Sequence, residues 1–144
     1  MALIRPSQPA DVPVLTDIWR RSVRATHDFL SEQDFLDIER MVAEQYLPHA
    51  PLWVIAPEGV PAGFMGMSGS HVDSLFIDPA RRAQGLGRAM LEHAARIAGK
   101  LSVDVNEQNA QAIGFYERMG FRRTGRSPTD DAGRPYPLLH MRQD

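Results

Sequence analysis

Short apolar runs bounded by proline or glycine recur along the chain and predict its strands. Residues 52–56 form one such run before Pro57, and Leu101, Val103 and Val105 alternate with polar residues as in a half-buried strand. Proline closes a strand because it cannot donate a ladder hydrogen bond. These patterns predict strands at residues 3–5, 52–56, 63–69, 71–77, 101–105, 121–125 and 136–141.

Four other segments repeat their apolar residues at helical spacing. The first begins at Pro9, and the second follows Ser31, a good N-cap with Asp34 as its capping-box partner. The third runs from Leu86 to Gly99, and the fourth lies between Asn109 and Gly120. The expected buried face of the first segment is Val14, Leu15, Ile18, Trp19, Ser22 and Val23, and that of the second is Phe35, Ile38, Val42 and Tyr46. For the third segment it is Leu86, Ala89, Met90, Ala94 and Ile97, and for the fourth it is Ala112, Ile113, Tyr116 and Met119.

The order of these elements is β-α-α-β-β-β-α-β-α-β-β. A chain of 144 residues is long enough for one core but too short for two. We therefore expect a single α/β domain over residues 1–144, with a mixed sheet of about seven strands and helices on both faces.

Composition narrows the functional classes. A formal net charge of -2 gives no general electrostatic reason to bind nucleic acid or an anionic membrane. No apolar run approaches the ~18–20 residues of a membrane span, and the first residues do not resemble a signal peptide, so a cytoplasmic protein is expected. The absence of Cys excludes thiolate nucleophiles and cysteine-based metal sites.

The segment 78–90 is the strongest candidate site. It follows the predicted strand at 71–77 and leads through Gly85 and Gly87 into a helix, so unpaired amides and the helix dipole meet at one point. Arg81, Arg82 and Arg88 add positive charge, which indicates a diphosphate site. The dinucleotide fingerprint fails because Met90 stands where a third Gly or Ala is needed, and the Gly-Lys-Ser/Thr of a P-loop is absent.

Residues 82–87, Arg-Ala-Gln-Gly-Leu-Gly, resemble the Arg/Gln-x-x-Gly-x-Gly/Ala loop of the GNAT N-acetyltransferases. Residues 109–121 resemble the segment Asn-x-x-Ala-x-x-x-Tyr-x-x-x-Gly-Phe of the same family, one strand later. Shorter stretches at 26–30, 75–79, 105–109 and 136–139 resemble its small bacterial YjaB-like branch. The resemblance covers nearly the whole chain and implies a GNAT fold with a mostly antiparallel sheet.

The resemblance also implies acetyl-CoA as cosubstrate, without a metal. Main-chain groups of the strand at 75–77 would bind the pantetheine and the acetyl carbonyl, and the amides of 83–88 the pyrophosphate. Asn109 would orient the pantetheine arm, and Tyr116 would face the leaving sulfur. The implied coenzyme-binding residues are Leu75, Phe76, Ile77, Arg82, Ala83, Gln84, Gly85, Leu86, Gly87, Arg88, Asn109 and Tyr116.

Acetyl transfer to an amine sets three chemical demands. An acceptor such as lysine, with a pKa of ~10.4, is neutral only about once in 2,500 molecules at pH 7, so it must lose a proton. The tetrahedral oxyanion needs fixed N–H donors, which a splayed strand at Phe76 and Ile77 would offer. The departing thiolate needs a hydrogen bond, for which Tyr116 is the candidate, although a packed core aromatic would show the same spacing.

Three residues are candidates for the base. Asp104 stands five residues before Asn109 and would act through water, because a carboxylate is a weak base for an ammonium. His71 and His27 have suitable intrinsic pKa values. His27 and Phe29 are also expected in the acceptor pocket. Each of these polar side chains could equally be an ordinary surface residue.

The sequence supports neither a metal site nor a hydrolase triad, but one alternative to an enzyme stays open. His27 with Asp28, or His71 with Asp73, lacks a third metal ligand, and no Gly-x-Ser-x-Gly elbow supports a Ser-His-Asp hydrolase. A non-catalytic acyl-CoA-binding sensor or regulatory protein is the alternative to an enzyme that transfers acetyl by direct attack in a ternary complex. The acceptor, a small-molecule or peptide amine, and the choice between monomer and homodimer are not encoded in these patterns.

Overall fold

The structure, a computed structural model, describes residues 4–144, so Leu3 of the first predicted strand lies outside the described residues. The seven strands are β1 (Ile4–Pro6), β2 (Leu52–Ile55), β3 (Gly63–Ser68), β4 (His71–Ile77), β5 (Ser102–Asn106), β6 (Phe121–Ser127) and β7 (Leu138–Gln143). The four α-helices are α1 (Val12–Thr26), α2 (Glu32–Met41), α3 (Leu86–Ala98) and α4 (Ala110–Arg118). The predicted element order is confirmed.

The strands form one sheet in the order β1-β2-β3-β4-β5-β7-β6. Every neighbouring pair is antiparallel except β4 and β5, which are parallel. Their register joins His71 to Ser102 and Val72 to Val103, and then stops. The two central strands therefore separate toward their carboxyl ends and leave a wedge between them.

The helices cover both faces of this sheet, as the sequence predicts. On one face, Leu86, Met90 and Ala94 of α3 and Ile113 of α4 pack against alternate strand residues such as Val103. On the other face, Leu15, Ile18 and Trp19 of α1 and Phe35 of α2 pack against Phe64. We call these the α3/α4 face and the α1/α2 face.

Most predictions about helix caps, strand ends and buried helix faces are confirmed, but three details differ. Ser31 caps α2 by accepting from the Asp34 amide at 3.1 Å, but the Asp34 carboxylate accepts from the Tyr136 hydroxyl instead of completing a capping box. Tyr136 consequently lies before β7 rather than in it. In α3, Ile97 is 54% exposed, contrary to the predicted face, and Leu91 is buried.

Candidate active site

A cavity of about 480 Å³ lies in the wedge between β4 and β5. The end of β4, the loop before α3, the first turn of α3, one side of α4 along its length, and the end of α1 border it. Twelve of the residues proposed from the sequence line it: His27, Leu75, Phe76, Ile77, Arg82, Ala83, Gly85, Leu86, Gly87, Arg88, Asn109 and Tyr116. Gln84, Phe29, Asp104 and His71 do not line it.

The main chain of β4 offers donors on the wedge side. The Asp78 amide donates to the Ala62 carbonyl of the antiparallel neighbour β3 at 2.7 Å. In an antiparallel ladder, every second residue of a strand directs its main-chain groups to the same neighbouring strand. Main-chain groups of Phe76 therefore face β3, whereas those of Leu75 and Ile77 face the wedge. The Ile77 carbonyl accepts from the Ser22 hydroxyl at 2.9 Å, so Leu75 and Ile77, rather than Phe76, present N–H groups to the cavity.

The loop between β4 and α3 is held open by its backbone conformation. Gly85 caps α3 in the left-handed region, with φ at +75°, where a side chain would be strained. A Cβ at Gly87 would lie 3.0 Å from Cζ of Phe115, so this glycine allows α4 to approach α3 closely. The start of α3 therefore borders the cavity beside the exposed Arg82 and Arg88, an arrangement whose chemistry suits an anion.

An ion pair fixes where this loop begins. Asp78 accepts from Nη1 and Nη2 of Arg21 at 2.5 and 3.0 Å, and also from the Ala80 amide at 2.9 Å. The Arg21 guanidinium holds the pKa of the Asp78 carboxyl below its usual value. Helix α1 is thereby tied to the end of β4 at the point where the glycine loop starts.

Two residues of the segment 109–121, Asn109 at the start of α4 and Tyr116 within it, reach the cavity. Asn109 is buried and caps the helix, with Oδ1 accepting from the Ala112 amide at 3.2 Å. Tyr116 is 7% exposed, with its ring 5.2 Å from each of the rings of Phe115 and Phe121. Burial raises the pKa of the Tyr116 phenol, so it is a neutral hydrogen-bond donor rather than a strong acid.

His27 lines the cavity where α1 ends, but its environment disfavours the role of base. Its Nδ1 lies 2.7 Å from the Thr26 hydroxyl, and burial lowers its pKa to about 4. The intrinsic value expected from the sequence is therefore not retained. Phe29 stacks 5.2 Å from the His27 ring and 5.9 Å from Tyr136, outside the cavity lining.

Asp104 and His71 lie together on the α1/α2 face. Asp104 Oδ2 is 3.5 Å from His71 Nε2, and Asp104 Oδ1 is 2.6 Å from Nδ1 of His140. Sequence patterns did not single out His140, which lies 36 residues from Asp104 in an ordinary apolar strand. The strand register, which sets Asp104 opposite His140, is what brings them together.

No group of His, Cys, Asp or Glu within residues 4–144 is arranged to hold a metal ion. In the same part of the chain, no helix has the length and apolar character needed to cross a bilayer.

Comparison with known proteins identifies the family. The model of the acetyltransferase (GNAT) domain matches residues 18–142. The chain is 51% identical to the peptidyl-lysine N-acetyltransferase YjaB of Salmonella typhimurium, over 98% of this chain and 97% of the relative. It is 52% identical to YjaB of Escherichia coli, over 96% and 94%.

Solved structures show the same fold. The apo form of Escherichia coli YjaB superposes with a TM-score of 0.94 at 50% identity, covering 99% of this chain and 97% of that one. An N-acetyltransferase from Thermoplasma acidophilum in complex with coenzyme A has a TM-score of 0.81 at 18% identity, covering 100% and 99%. The chain belongs to the GNAT acetyltransferase family, in its YjaB-like branch, and is an acetyl-CoA-dependent acetyltransferase, as the two motifs predict.

Proposed function

We propose that the protein transfers the acetyl group of acetyl-CoA to the ε-amine of a lysine side chain in a protein or peptide. The observation that carries this proposal is the wedge between β4 and β5, where donors from Leu75 and Ile77 face a cavity that also contains Tyr116. The acceptor class is supported by the relatives named peptidyl-lysine N-acetyltransferases, which match this chain over nearly its full length.

The coenzyme binds through main-chain groups. Its pyrophosphate accepts from the amides at the start of α3, with Arg82 and Arg88 beside it. The pantetheine arm then follows the open edge of β4 toward the wedge, and the buried Asn109 borders its path. This arrangement leaves the acetyl carbonyl next to the N–H groups of Leu75 and Ile77.

The amine attacks the thioester directly in a ternary complex. The sequence contains no Cys, so no cysteinyl thioester intermediate is available. The nitrogen lone pair forms the new C–N bond, and the tetrahedral oxyanion accepts from the β4 amides. Such fixed donors contribute about 3–4 kcal/mol of transition-state stabilisation in enzymes of known mechanism.

Tyr116 stabilises the departing thiolate. Its pKa is raised by burial, so complete proton transfer from the phenol to a thiolate, with a pKa of ~8.5, is unfavourable. A short hydrogen bond from the neutral hydroxyl to the sulfur achieves the stabilisation without that transfer. The coenzyme A thiol gains its proton later from water.

The test is a thiol-release assay with acetyl-CoA and three matched peptides. One peptide carries lysine with a blocked N-terminus, one has arginine in its place and a free N-terminus, and one has arginine and a blocked N-terminus. We expect turnover with the lysine peptide only, and mass spectrometry should locate the added acetyl group on Nε. Turnover confined to the free N-terminus would overturn the lysine assignment. Binding of acetyl-CoA without turnover on any amine would favour the alternative function, a non-catalytic acyl-CoA-binding sensor or regulatory protein.

The chain simplifies this assay because Lys100 is its only lysine among 16 basic residues. A Lys100→Arg variant removes the enzyme's own ε-amine as an acceptor. Any acetyl-lysine then detected belongs to the added peptide.

A further inference from the structure

A continuous series of hydrogen bonds joins the end of β4 to the end of α1 and finishes at His27. The Ser22 hydroxyl donates to the Ile77 carbonyl at 2.9 Å, and the Ser22 carbonyl accepts from the Thr26 hydroxyl at 2.9 Å. The Thr26 oxygen in turn lies 2.7 Å from Nδ1 of His27. All four residues line the cavity, so the imidazole ring is held at a defined place relative to the wedge side of β4.

These contacts determine which nitrogen of His27 carries the proton. A hydroxyl has one proton, and Thr26 gives it to the Ser22 carbonyl, so the Thr26 oxygen accepts from Nδ1–H of the ring. The opposite assignment would leave the oxygens of Thr26 and Ser22 at 2.9 Å with no proton between them. The neutral ring therefore presents a lone pair at Nε2.

The lone pair at Nε2 of His27 is open to the cavity that the ring lines. Within residues 4–144 this atom makes no hydrogen bond, and it is not sealed from solvent as Nε2 of His93 is. Burial lowers the pKa of His27 to about 4, so the ring is neutral at neutral and alkaline pH. The cavity therefore contains a hydrogen-bond acceptor that keeps its lone pair over the pH range in which amines react.

The cavity has no counter-ion for an ammonium group. No Asp or Glu among residues 4–144 lines it. The charged side chains that line it are arginines: Arg81, Arg82, Arg88 and Arg118. An ammonium group that entered from water would lose hydration without gaining a carboxylate partner, and this favours the neutral amine.

We propose that the acceptor amine enters beside His27 and binds in its neutral form, with one N–H donated to Nε2 of His27 and its lone pair directed at the acetyl carbon. This inference rests on the proposed function, because it specifies how the lysine amine of that reaction is held. His27 is then a catalytic residue that orients the nucleophile. Thr26 is a positioning residue, since it acts on the amine only by fixing the tautomer of His27.

The step balances without a base from the chain. The lone pair of the neutral amine forms the C–N bond, and the C–S bond breaks with its electron pair on sulfur. The nitrogen, positively charged after the attack, releases one proton to water, and the thiolate gains one from water. His27 accepts a hydrogen bond throughout and takes up no proton.

The charged groups around the end of α1 are carboxylates and guanidinium groups. The exposed Asp28 opposes the effect of burial on the pKa of His27. The elements packed around it contribute Arg21 with Asp78, Arg24 with Glu32, Asp34 with Tyr136 and Arg134, and, in the loop after β4, Arg81 and Arg82. Carboxylates and guanidinium groups ordinarily keep their charge between pH 7 and 9, so a rate profile over this range reports the amine.

The first part of the test measures kcat/KM for the blocked lysine peptide in the wild type from pH 7 to 9, at saturating acetyl-CoA. We expect a rise of about tenfold per pH unit, in step with the neutral fraction of an amine with a pKa of ~10.4. A level profile would show that a base within the site takes the proton, and would overturn the binding of the neutral amine.

The second part compares two substitutions of His27. In His27→Asn the amide nitrogen can still donate to Thr26, as Nδ1 does, but no acceptor reaches the position of Nε2. In His27→Gln the longer side chain brings its carbonyl oxygen near that position. We expect kcat/KM for the peptide to fall about tenfold in His27→Asn, the effect of one lost hydrogen bond, and to recover to within about threefold of the wild type in His27→Gln. The slope of the pH profile and the Kd for acetyl-CoA should not change.

The outcomes separate this inference from the function on which it rests. Equal losses in the two variants, or no loss in either, overturn the hydrogen bond to His27, while turnover of the peptide by the wild type leaves the lysine acetyltransferase standing. A wild type without amine-dependent turnover overturns both. Thr26→Val, which keeps the shape of the side chain but removes its oxygen, should lower kcat/KM about threefold. His49→Asn, which changes an exposed histidine after α2, is the matched control and should leave activity unchanged.

Discussion

The two sides of the wedge are built in different ways. The proposed coenzyme side comes from one continuous segment, residues 75–88, and from α4, and the ligand groups that we propose there are mostly main-chain amides. The surface next to His27, where we propose that the acceptor enters, joins groups from distant parts of the chain: the Ser31 amide donates to the hydroxyl of Tyr136, 105 residues away. A site made of backbone can be recognised from a local motif, whereas a site made of distant side chains needs the register of the whole sheet.

The largest effect should come from removing one hydroxyl on the coenzyme side. Tyr116→Phe keeps the packing against Phe115 and Phe121 but removes the donor to the departing sulfur. We expect kcat to fall by ten-fold or more, and up to about 100-fold, with little change in the Kd for acetyl-CoA. Steady-state kinetics and calorimetry measure the two quantities. An unchanged kcat would remove Tyr116 from the reaction.

A Cβ at the second glycine of the loop should weaken coenzyme binding. In Gly87→Ala the new atom lies 3.0 Å from Phe115 Cζ and displaces that ring, which lines the cavity. We expect the Kd for acetyl-CoA to rise about tenfold, which corresponds to ~1.4 kcal/mol. Gly114→Ala is the matched control, because its Cβ meets only Nη1 of Arg118, the end of a flexible side chain, at 3.2 Å. Equal Kd values for the two variants would contradict the close approach of α4 as a condition for binding.

His27 should make stability depend on pH. Its native pKa of about 4 lies below its ordinary 6.5, so the neutral ring stabilises the fold above pH 6.5, and this contribution is lost as the pH falls from 6.5 toward 4. The ring keeps some contact with water, so we expect the wild type to lose about 1–2 kcal/mol more unfolding free energy than His27→Asn over that range. Urea unfolding at pH 7 and pH 4.5 tests this. Parallel losses in both proteins would show that His27 is not desolvated.

The smallest effect should come from the surface where we propose that the acceptor enters, at which Tyr136 joins the loop before β7 to the start of α2. Tyr136→Phe removes its hydrogen bonds with the Ser31 amide, at 3.2 Å, and with the Asp34 carboxylate. We expect the KM for the peptide to rise about fivefold, equivalent to ~1 kcal/mol, since each such bond contributes ~1 kcal/mol. The Kd for acetyl-CoA should not move. A change in that Kd would show that the two sides of the wedge are coupled.

Much of the fold could be predicted from the sequence because its signals are local. Ser31 and Asn109 cap their helices as expected, and Leu101, Val103 and Val105 are buried on one side of β5. The strand, the turn and the helix start of the glycine loop are contiguous, so the sequence locates them correctly, while the anion that they would bind stays a prediction.

The rest depends on groups that meet only in the folded sheet. Asp34 binds Tyr136 rather than completing a capping box, because a partner 102 residues away competes for its carboxylate. The lowered pKa of His27 follows from burial, which its own segment does not reveal. His140 carries no sequence signal beyond the alternation of β7, and the register with β5 places it on Asp104.

In the proposed complex, main-chain amides of the wedge and of the glycine loop hold acetyl-CoA. Amide hydrogen exchange with and without saturating acetyl-CoA tests it residue by residue. We predict that the coenzyme slows exchange at Leu75, Ile77 and the amides of 85–88, while amides of β1 and β6 keep their rates. Unchanged exchange at Leu75 and Ile77 in the saturated protein would show that these amides do not hold the coenzyme.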